Sequence, residues 1–191
     1  DMGWRHNVAK ATRDYLDAQG YYEIETPILS KSTPEGARDF LVPSRLAPGK
    51  FYALPQAPQQ YKQLLMVGGV EKYFQIAKCF RDEDLRADRQ PEFTQIDIAA
   101  SLVMPEDIFA LTGGLLAGVF KAARDIEVKR PFDRLPDLEA IHRYGRDISD
   151  IHFGLGLVPF SEEFTASRFK GCRDARDSGA GGGSICRPRQ S

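Results

Sequence analysis

The chain has 191 residues, with 26 Lys and Arg against 27 Asp and Glu, for a formal net charge of −1. A hydrophobic content of 42%, with 12 Phe and 7 Tyr, excludes a mostly disordered chain. No uncharged apolar run reaches the roughly 20 residues of a membrane span, and no secretory signal opens the sequence. We therefore expect a cytoplasmic globular protein with no membrane partner.

The three cysteines are odd in number and widely spaced, which predicts free thiols in a reducing compartment rather than a disulfide framework or a zinc site. They are Cys79, Cys172 and Cys186. The histidines are equally scattered and form no metal-ligand pattern. We expect no metal site built from protein side chains.

The first quarter of the chain predicts a helix followed by a strand. Apolar residues recur at the helical period from Trp4 to Leu16, and Gly20 is a typical helix end. The β-rich segment 21–26 stops at Pro27, which cannot donate to a sheet ladder. Residues 30–39 read as a loop by composition.

A hairpin and a second helix come next. The segments 40–42 and 51–54 are predicted short strands, joined by a turn at 47–50. A helix is predicted from Pro58 to Met66, ended by Gly68.

Two alternating segments, 72–80 and 92–99, predict an antiparallel hairpin with a long loop. One face is apolar and is expected to pack on a core. The opposite face carries Gln75, Arg81, Gln95 and Asp97. That polar face indicates either a lined binding site or a solvated sheet surface, and the pattern does not decide between them.

A long helix is predicted to begin at Pro105, with an apolar stripe that we expect to be core. The stripe consists of Ile108, Leu111, Leu115, Leu116, Val119 and Phe120. From about Gly171 the composition predicts a mobile tail. Its Gly-rich run lacks the Lys-Ser/Thr pair of a phosphate-binding loop.

The loop 81–92 is mostly charged. A solvated, internally ion-paired loop is the ordinary interpretation of such a run. Alternatively, Arg81 is fixed at the end of a strand, where it would suit a phosphate or a carboxylate, and Phe93 offers a ring on which a base could stack. The second interpretation predicts a nucleotide site.

Three stretches of the sequence resemble a known family. Residues 80–97 (FRDEDLRADRQPEFTQID) resemble the second signature motif of class II aminoacyl-tRNA synthetases, in the form found in bacterial-type aspartyl-tRNA synthetases. Residues 32–40 and 52–63 resemble the same enzymes, and the segment from Gly20 to Pro27 fits the first class II motif. The resemblance runs from about Arg5 to about Phe169.

The resemblance implies an α+β fold, with an antiparallel sheet flanked by helices. It implies ATP-dependent activation of L-aspartate to aspartyl-adenylate, with ATP as its Mg²⁺ complex, and transfer to the acceptor end of tRNA(Asp). It further implies a homodimer, with the segment ending at Pro27 at a two-fold interface where Tyr21 and Tyr22 offer apolar area.

The resemblance also implies roles for particular residues. Arg81 would be catalytic, bridging the α-phosphate and the substrate carboxylate. The implied ATP-binding residues are Arg81, Asp82, Glu83, Gln90 and Phe93. The implied aspartate-binding residues are Glu35, Gln59, Gln60, Tyr61, Lys62, Arg81 and Asp97. Residues 84–89 would approach the tRNA.

The sequence departs from the family in its later part. The anticodon-binding barrel and the third class II motif, with its γ-phosphate arginine, are not found in these residues. We expect a partial catalytic domain over 1–150, then the start of an insertion domain and a disordered tail over 151–191. We also expect little activity from this chain alone. The alternative is a non-catalytic class II paralogue that retains nucleotide binding or dimerisation.

Overall fold

The computed structural model describes residues 2–33, 35–84, 89–146, 148, 150–151, 154–159 and 184–188. The chain divides into two compact units, Asp1–Phe132 and Asp133–Ser191. The expected division after residue 150 stays a prediction.

The first unit contains both helices and strands, as the predicted α+β class requires. In chain order they are α1 (Met2–Ala18), β1 (Tyr22–Glu23), β2 (Leu41–Pro43), β3 (Phe51–Ala53), α2 (Gln59–Val67), β4 (Lys72–Phe80), β5 (Glu92–Ala100) and α3 (Pro105–Arg124).

The main sheet has the order β1-β4-β5. Strands β4 and β5 pair antiparallel, with Phe74 opposite Ile98 and Gln75 opposite Asp97, so the predicted hairpin is confirmed. Strand β1 pairs parallel with β4 and is shorter than the predicted 21–26. Beyond Glu23, one further backbone bond runs from the N–H of Ile24 to the oxygen of Phe74, at 3.1 Å.

The core lies on the Phe74 face of this sheet. Leu16 of α1, Tyr21, Phe74 and Leu115 of α3 are buried together there. The hydroxyl of Tyr15 donates to the backbone oxygen of Leu111 at 3.2 Å, which joins α1 to α3. Burying these side chains supplies the main driving force for folding of this unit.

The apolar stripe of α3 is only half covered. Leu111, Leu115 and Val119 pack into the core, as predicted. Three of the predicted core residues are instead 39%, 40% and 45% exposed: Ile108, Leu116 and Phe120. The reason is geometric, since the stripe is wider than the surface that α1 and the sheet present to it.

A small hairpin and α2 complete the first unit. Strands β2 and β3 pair antiparallel, with Leu41 opposite Ala53. Helix α2 begins after Pro58 and ends where the N–H of Gly68 bonds to the oxygen of Leu64 at 2.8 Å. Both elements match their predictions.

The second unit contains α4 (Asp137–Tyr144), β6 (Leu155–Pro159) and β7 (Ser184–Pro188). Strands β6 and β7 pair antiparallel. The structure thus pairs residues 184–188, where a mobile tail was predicted, because β6 supplies backbone partners that composition cannot reveal. The rest of the predicted tail lies outside the described residues. Among the described residues, no helix is both long and apolar enough to span a membrane.

Candidate active site

Arg81 and Phe93 lie together at the open end of the β4–β5 hairpin. Arg81 directly follows β4, and its backbone N–H donates to the oxygen of Pro91 at 2.9 Å. Its guanidinium carbon lies 5.0 Å from the centre of the Phe93 ring. A cation held over an aromatic face at this distance is attracted by the ring quadrupole. The predicted fixed arginine and the predicted stacking ring are therefore neighbours.

Two ion pairs involve the described part of the loop that follows Arg81. Glu83 and Arg89 lie 3.0 Å apart within the loop, and Asp82 lies 3.8 Å from the guanidinium of Arg38, outside it. Gln90 is exposed. Neither pair involves Arg81, whose guanidinium lies over Phe93. Residues 85–88 of the predicted tRNA contact lie outside the described residues.

Lys62 and Asp97 form a buried ion pair on the polar face of the sheet. The Nζ of Lys62 lies 2.6 Å from Oδ1 of Asp97, and the two side chains are 17% and 4% exposed. The second carboxylate oxygen, Oδ2, is buried with no hydrogen-bond partner among the described residues. A buried carboxylate oxygen without a donor is costly. Of the acceptors in this site, Oδ2 of Asp97 is therefore the one that most needs a hydrogen-bond donor, and that donor must come from outside the described residues.

On the polar face of the hairpin, Gln75 and Asp97 are buried and Arg81 and Gln95 are half-buried, so this face is not an open, solvated sheet surface. Gln75 receives two hydrogen bonds at its Oε1, from the hydroxyls of Tyr73 at 2.8 Å and Thr26 at 2.9 Å. Burial first, and then the charge of Asp97, raise the pKa of the Tyr73 phenol. Tyr73 therefore stays a neutral donor beside the buried carboxylate.

Cys79 lies on the same face and is a free thiol, as predicted. Its sulfur is 3.4 Å from Oε1 of Gln95. Burial raises the pKa of this thiol to about 11, while Arg81 acts in the opposite direction. A thiol with so high a pKa is a poor nucleophile at neutral pH.

Glu35 lies in the loop between β1 and β2. Its backbone and side chain both bond to Thr33, at 2.9 Å and 3.0 Å. The loop and the start of α2 enclose a cavity of about 20 Å³, which Glu35, Gln60 and Tyr61 help to line. The Tyr61 hydroxyl is fixed by Ser30 at 2.8 Å.

The predicted site residues thus fall into three groups. Arg81 and Phe93 form one group, Lys62 and Asp97 a second, and Glu35, Gln60 and Tyr61 a third. Gln59 is exposed at the first position of α2. Within the described ranges, no cluster of three or more His, Cys, Asp or Glu side chains is arranged to hold a metal ion.

Sequence reasoning missed one buried polar residue next to this site. Gln56 is 1% exposed and makes three hydrogen bonds to the loop that follows Glu35. Its position between two prolines, Pro55 and Pro58, gives no periodic signal. Only its polar type in an otherwise apolar stretch could have pointed to it.

Comparison with known proteins identifies the family. Residues 1–169 match the profile of the family described as tRNA synthetases class II (D, K and N). The chain is 62% identical over 169 residues to an aspartate–tRNA ligase of Geobacillus kaustophilus. It is 61% identical over 166 residues to an aspartate–tRNA(Asp/Asn) ligase of Opitutus terrae, and 54% identical over 175 residues to one of Thermotoga maritima.

These matches define the class of protein to which the fold and the site belong. The chain is a member of the class II tRNA synthetase family, in the branch described by the letters D, K and N. The three alignments cover 88%, 87% and 92% of this chain. They cover only 29%, 28% and 30% of the relatives, so the chain spans less than a third of their length.

Proposed function

We propose that this chain supplies part of the catalytic site of an aspartate–tRNA ligase. The reaction activates L-aspartate with ATP and then transfers the aspartyl group to tRNA(Asp). The observation that carries the proposal is the pairing of Arg81 with Phe93 at the end of the hairpin, on the sheet face that also carries the Lys62–Asp97 pair, in a chain of this family. The three-stranded sheet is, in this proposal, one portion of a larger class II sheet.

In the first step, a carboxylate oxygen of aspartate forms a bond to the α-phosphorus of ATP. The bond from that phosphorus to the bridging oxygen of the β-phosphate breaks, and pyrophosphate leaves with the electron pair. Negative charge gathers on the α-phosphate oxygens as this happens. The Arg81 guanidinium, carried at a strand end, is suited to stabilise that charge.

The nucleotide would be held by groups around Arg81. Phe93 would stack on the adenine, which requires the guanidinium now over its ring to turn towards the phosphate. Glu83 and Gln90 would contact ATP, and Asp82 would complete this part of the site. Magnesium would arrive bound to the ATP phosphates as part of the substrate, where it neutralises charge.

The aspartate would bind through opposite charges at its two ends. Glu35 is suited to its ammonium group, and Lys62 to its side-chain carboxylate. Because an ammonium has three N–H donors, Lys62 can serve Asp97 and a substrate oxygen together. Asp97 would keep Lys62 aimed into the pocket, and Gln59, Gln60 and Tyr61 would complete the binding surface.

The partner in the second step would be tRNA(Asp), approached by residues 84–89. We further propose a cytoplasmic homodimer, with the segment ending at Pro27 at its interface. Tyr22, which is 69% exposed, supports this. Tyr21 cannot contribute as expected, since its ring lies in the core with Leu16 and Phe74. Light scattering that gives only monomer for the assembled ligase described below would reject the dimer.

The proposal is tested by aspartate-dependent exchange of pyrophosphate into ATP. The test protein is a full-length ligase in which residues 1–169 of this chain replace the matching part of the Geobacillus kaustophilus relative. Exchange with aspartate, and not with asparagine or lysine, is expected. Exchange with either other amino acid, or with none, would reject the assignment. The 191-residue chain alone, matching under a third of its relatives, is expected to give no measurable exchange.

A further inference from the structure

Gln56 is a buried polar side chain that the proposed reaction leaves unused. Its Oε1 accepts the backbone N–H of Ala37 at 3.1 Å, and its Nε2 donates to the backbone oxygen of Ala37 at 2.9 Å. Nε2 also donates to Oδ1 of Asp39. One amide thus satisfies both backbone groups of Ala37.

These bonds replace a backbone ladder at the point where it fails. The β2–β3 pairing continues one step further, since the N–H of Leu54 donates to the oxygen of Phe40 at 2.9 Å. An antiparallel ladder bonds every second residue, so the next bonded pair would be Arg38 and Gln56, but the oxygen of Arg38 accepts the backbone N–H of Asp82 instead. The Gln56 side chain takes over as the partner of the opposite segment, residues 37–39.

The same segment is held from its other side. The backbone N–H of Asp82 donates to the oxygen of Arg38 at 3.0 Å. Asp82 directly follows Arg81. Residues 37–39 are therefore fixed between the start of α2 and the strand end that carries the arginine.

Glu35 lies just before this fixed segment. Gly36, between Glu35 and Ala37, has φ +97°, in a region that residues with a Cβ rarely adopt. The cavity beside Glu35 measures about 20 Å³, which leaves room for about one water molecule. An amino acid is larger than this space, so the pocket must widen to admit one, and Gly36 is the backbone position beside Glu35 with the widest range of conformations.

We propose that Gln56 is a positioning residue for the aspartate pocket. It holds residues 37–39 in place. When Glu35 moves, residues 37–39 stay fixed, and Glu35 therefore returns to the same position over the start of α2. The inference rests on the proposed function, because it takes Glu35 as the residue that meets the substrate ammonium. Gln56 itself touches no substrate.

The first test asks, without any substrate, whether Gln56 holds residues 37–39 in place. In the 191-residue chain, Gln56→Met removes all three bonds, and Gln56→Asn keeps the amide but shortens its reach. Amide hydrogen exchange at Ala37 should accelerate about tenfold in both, the ratio expected for one or two lost hydrogen bonds. Exchange at Leu54, whose bond to Phe40 does not involve Gln56, should not change. Equal acceleration at both amides, or none at Ala37, would show that Gln56 does not hold residues 37–39 in place.

The second test measures the consequence in the full-length assembled ligase described above. Gln56→Met should raise KM for aspartate about tenfold and leave KM for ATP within twofold, because Gln56 bonds to Ala37 and Asp39, whereas the proposed ATP-binding residue Asp82 is joined to Arg38. Gln63→Met, an exposed change on α2, is the matched control and should alter neither. Equal changes in both constants, or an unchanged aspartate KM, would overturn the positioning role.

If the assembled ligase without any substitution showed no aspartate-dependent pyrophosphate exchange, the proposed function would be rejected. Amide hydrogen exchange at Ala37 would still decide whether Gln56 holds residues 37–39 in place.

Discussion

The ammonium of Lys62 lies 2.6 Å from one carboxylate oxygen of Asp97, while the other oxygen of that carboxylate is buried with no hydrogen-bond partner in the described part of the chain. The pair joins α2 to β5 across the polar face of the sheet. Each charge is taken out of water and is compensated chiefly by the other. Removing one partner therefore leaves a buried charge uncompensated.

Lys62→Met is expected to lower the free energy of unfolding by about 3–5 kcal/mol, the usual cost of breaking a buried pair. The double variant Lys62→Met/Asp97→Asn should recover most of that loss, because no charge is then stranded. Urea denaturation followed by circular dichroism measures both.

The chain offers a matched control for this pair. Lys78 and Glu92 are 3.1 Å apart, but their side chains are 61% and 56% exposed. Lys78→Met should therefore cost less than about 1 kcal/mol, as exposed pairs usually do. A similar cost at Lys62 and Lys78 would contradict the view that burial makes the first pair important.

Arg81→Ala is expected to slow aspartyl-adenylate formation by a hundred- to a thousandfold in the assembled ligase. A preorganised donor aimed at developing charge contributes about 3–4 kcal/mol. Arg81 would serve two ligands, so the effect should lie at the upper end. Arg81→Lys keeps the charge without the planar fork and should recover only part of the rate. Near-normal pyrophosphate exchange by the alanine variant would remove the assignment.

The free energy of unfolding should depend on pH through the Cys79 thiol. Burial raises the pKa of this thiol from its ordinary value of 9.0 to about 11. Between those values the unfolded chain loses the thiol proton while the folded chain keeps it. The stabilisation from the neutral buried thiol is therefore complete below pH 9 and lost as pH rises towards 11.

Cys79→Ala isolates this contribution from the other groups that titrate at high pH. The stability difference between the parent chain and the variant should shrink by roughly 2 kcal/mol from pH 8 to pH 11, since each pH unit of pKa change corresponds to about 1.4 kcal/mol and the folded thiol is itself half ionised at pH 11. Denaturation curves of both proteins at several pH values measure it. A difference that stays constant would mean that the thiol is not shielded as the structure indicates.

Periodicity predicted much of the first unit. Alternation placed β4 and β5, and the helical period placed α1, α2 and α3, because these patterns reflect which side of an element is covered. Alternation did not show that the polar face of the hairpin is the more deeply buried one, with Gln75 and Asp97 covered while Ile96 of the apolar face is exposed.

Periodicity cannot show how much of an apolar stripe the neighbouring elements cover. Leu116 and Phe120 belong to the same stripe as Leu115, yet only Leu115 meets Phe74 in the core.

The site residues from Arg81 to Asp97 are predicted from a continuous stretch resembling a known family, and the structure brings Arg81 next to Phe93 and Lys62 next to Asp97. Their roles stay predictions.

Tyr21 is predicted at an interface because the resemblance places its segment there. Its burial beside Leu16 follows from the turn at Gly20, where the Tyr21 N–H bonds to the oxygen of Leu16 at 3.0 Å, and from the packing of Leu115 in the same core, which no local pattern encodes.

Helices α1 and α3 pack closely against each other at Gly114. A Cβ added at Gly114 would lie 2.0 Å from the Tyr15 hydroxyl oxygen, far inside van der Waals contact. Gly114→Ala would also displace the hydroxyl that donates to Leu111. Overpacking of this kind costs about 1–3 kcal/mol, which outweighs the gain of roughly 1 kcal/mol in helix propensity.

Gly118, one helical turn further along α3, separates the two effects. A Cβ there meets nothing within 4 Å, so Gly118→Ala should stabilise the chain by about 0.5–1 kcal/mol through propensity alone. Thermal unfolding should therefore shift in opposite directions for the two alanine variants. Adding Tyr15→Phe to Gly114→Ala removes the clashing oxygen and should recover part of the loss. If both alanine variants raised the unfolding temperature equally, α1 and α3 would not approach each other as closely as the structure places them.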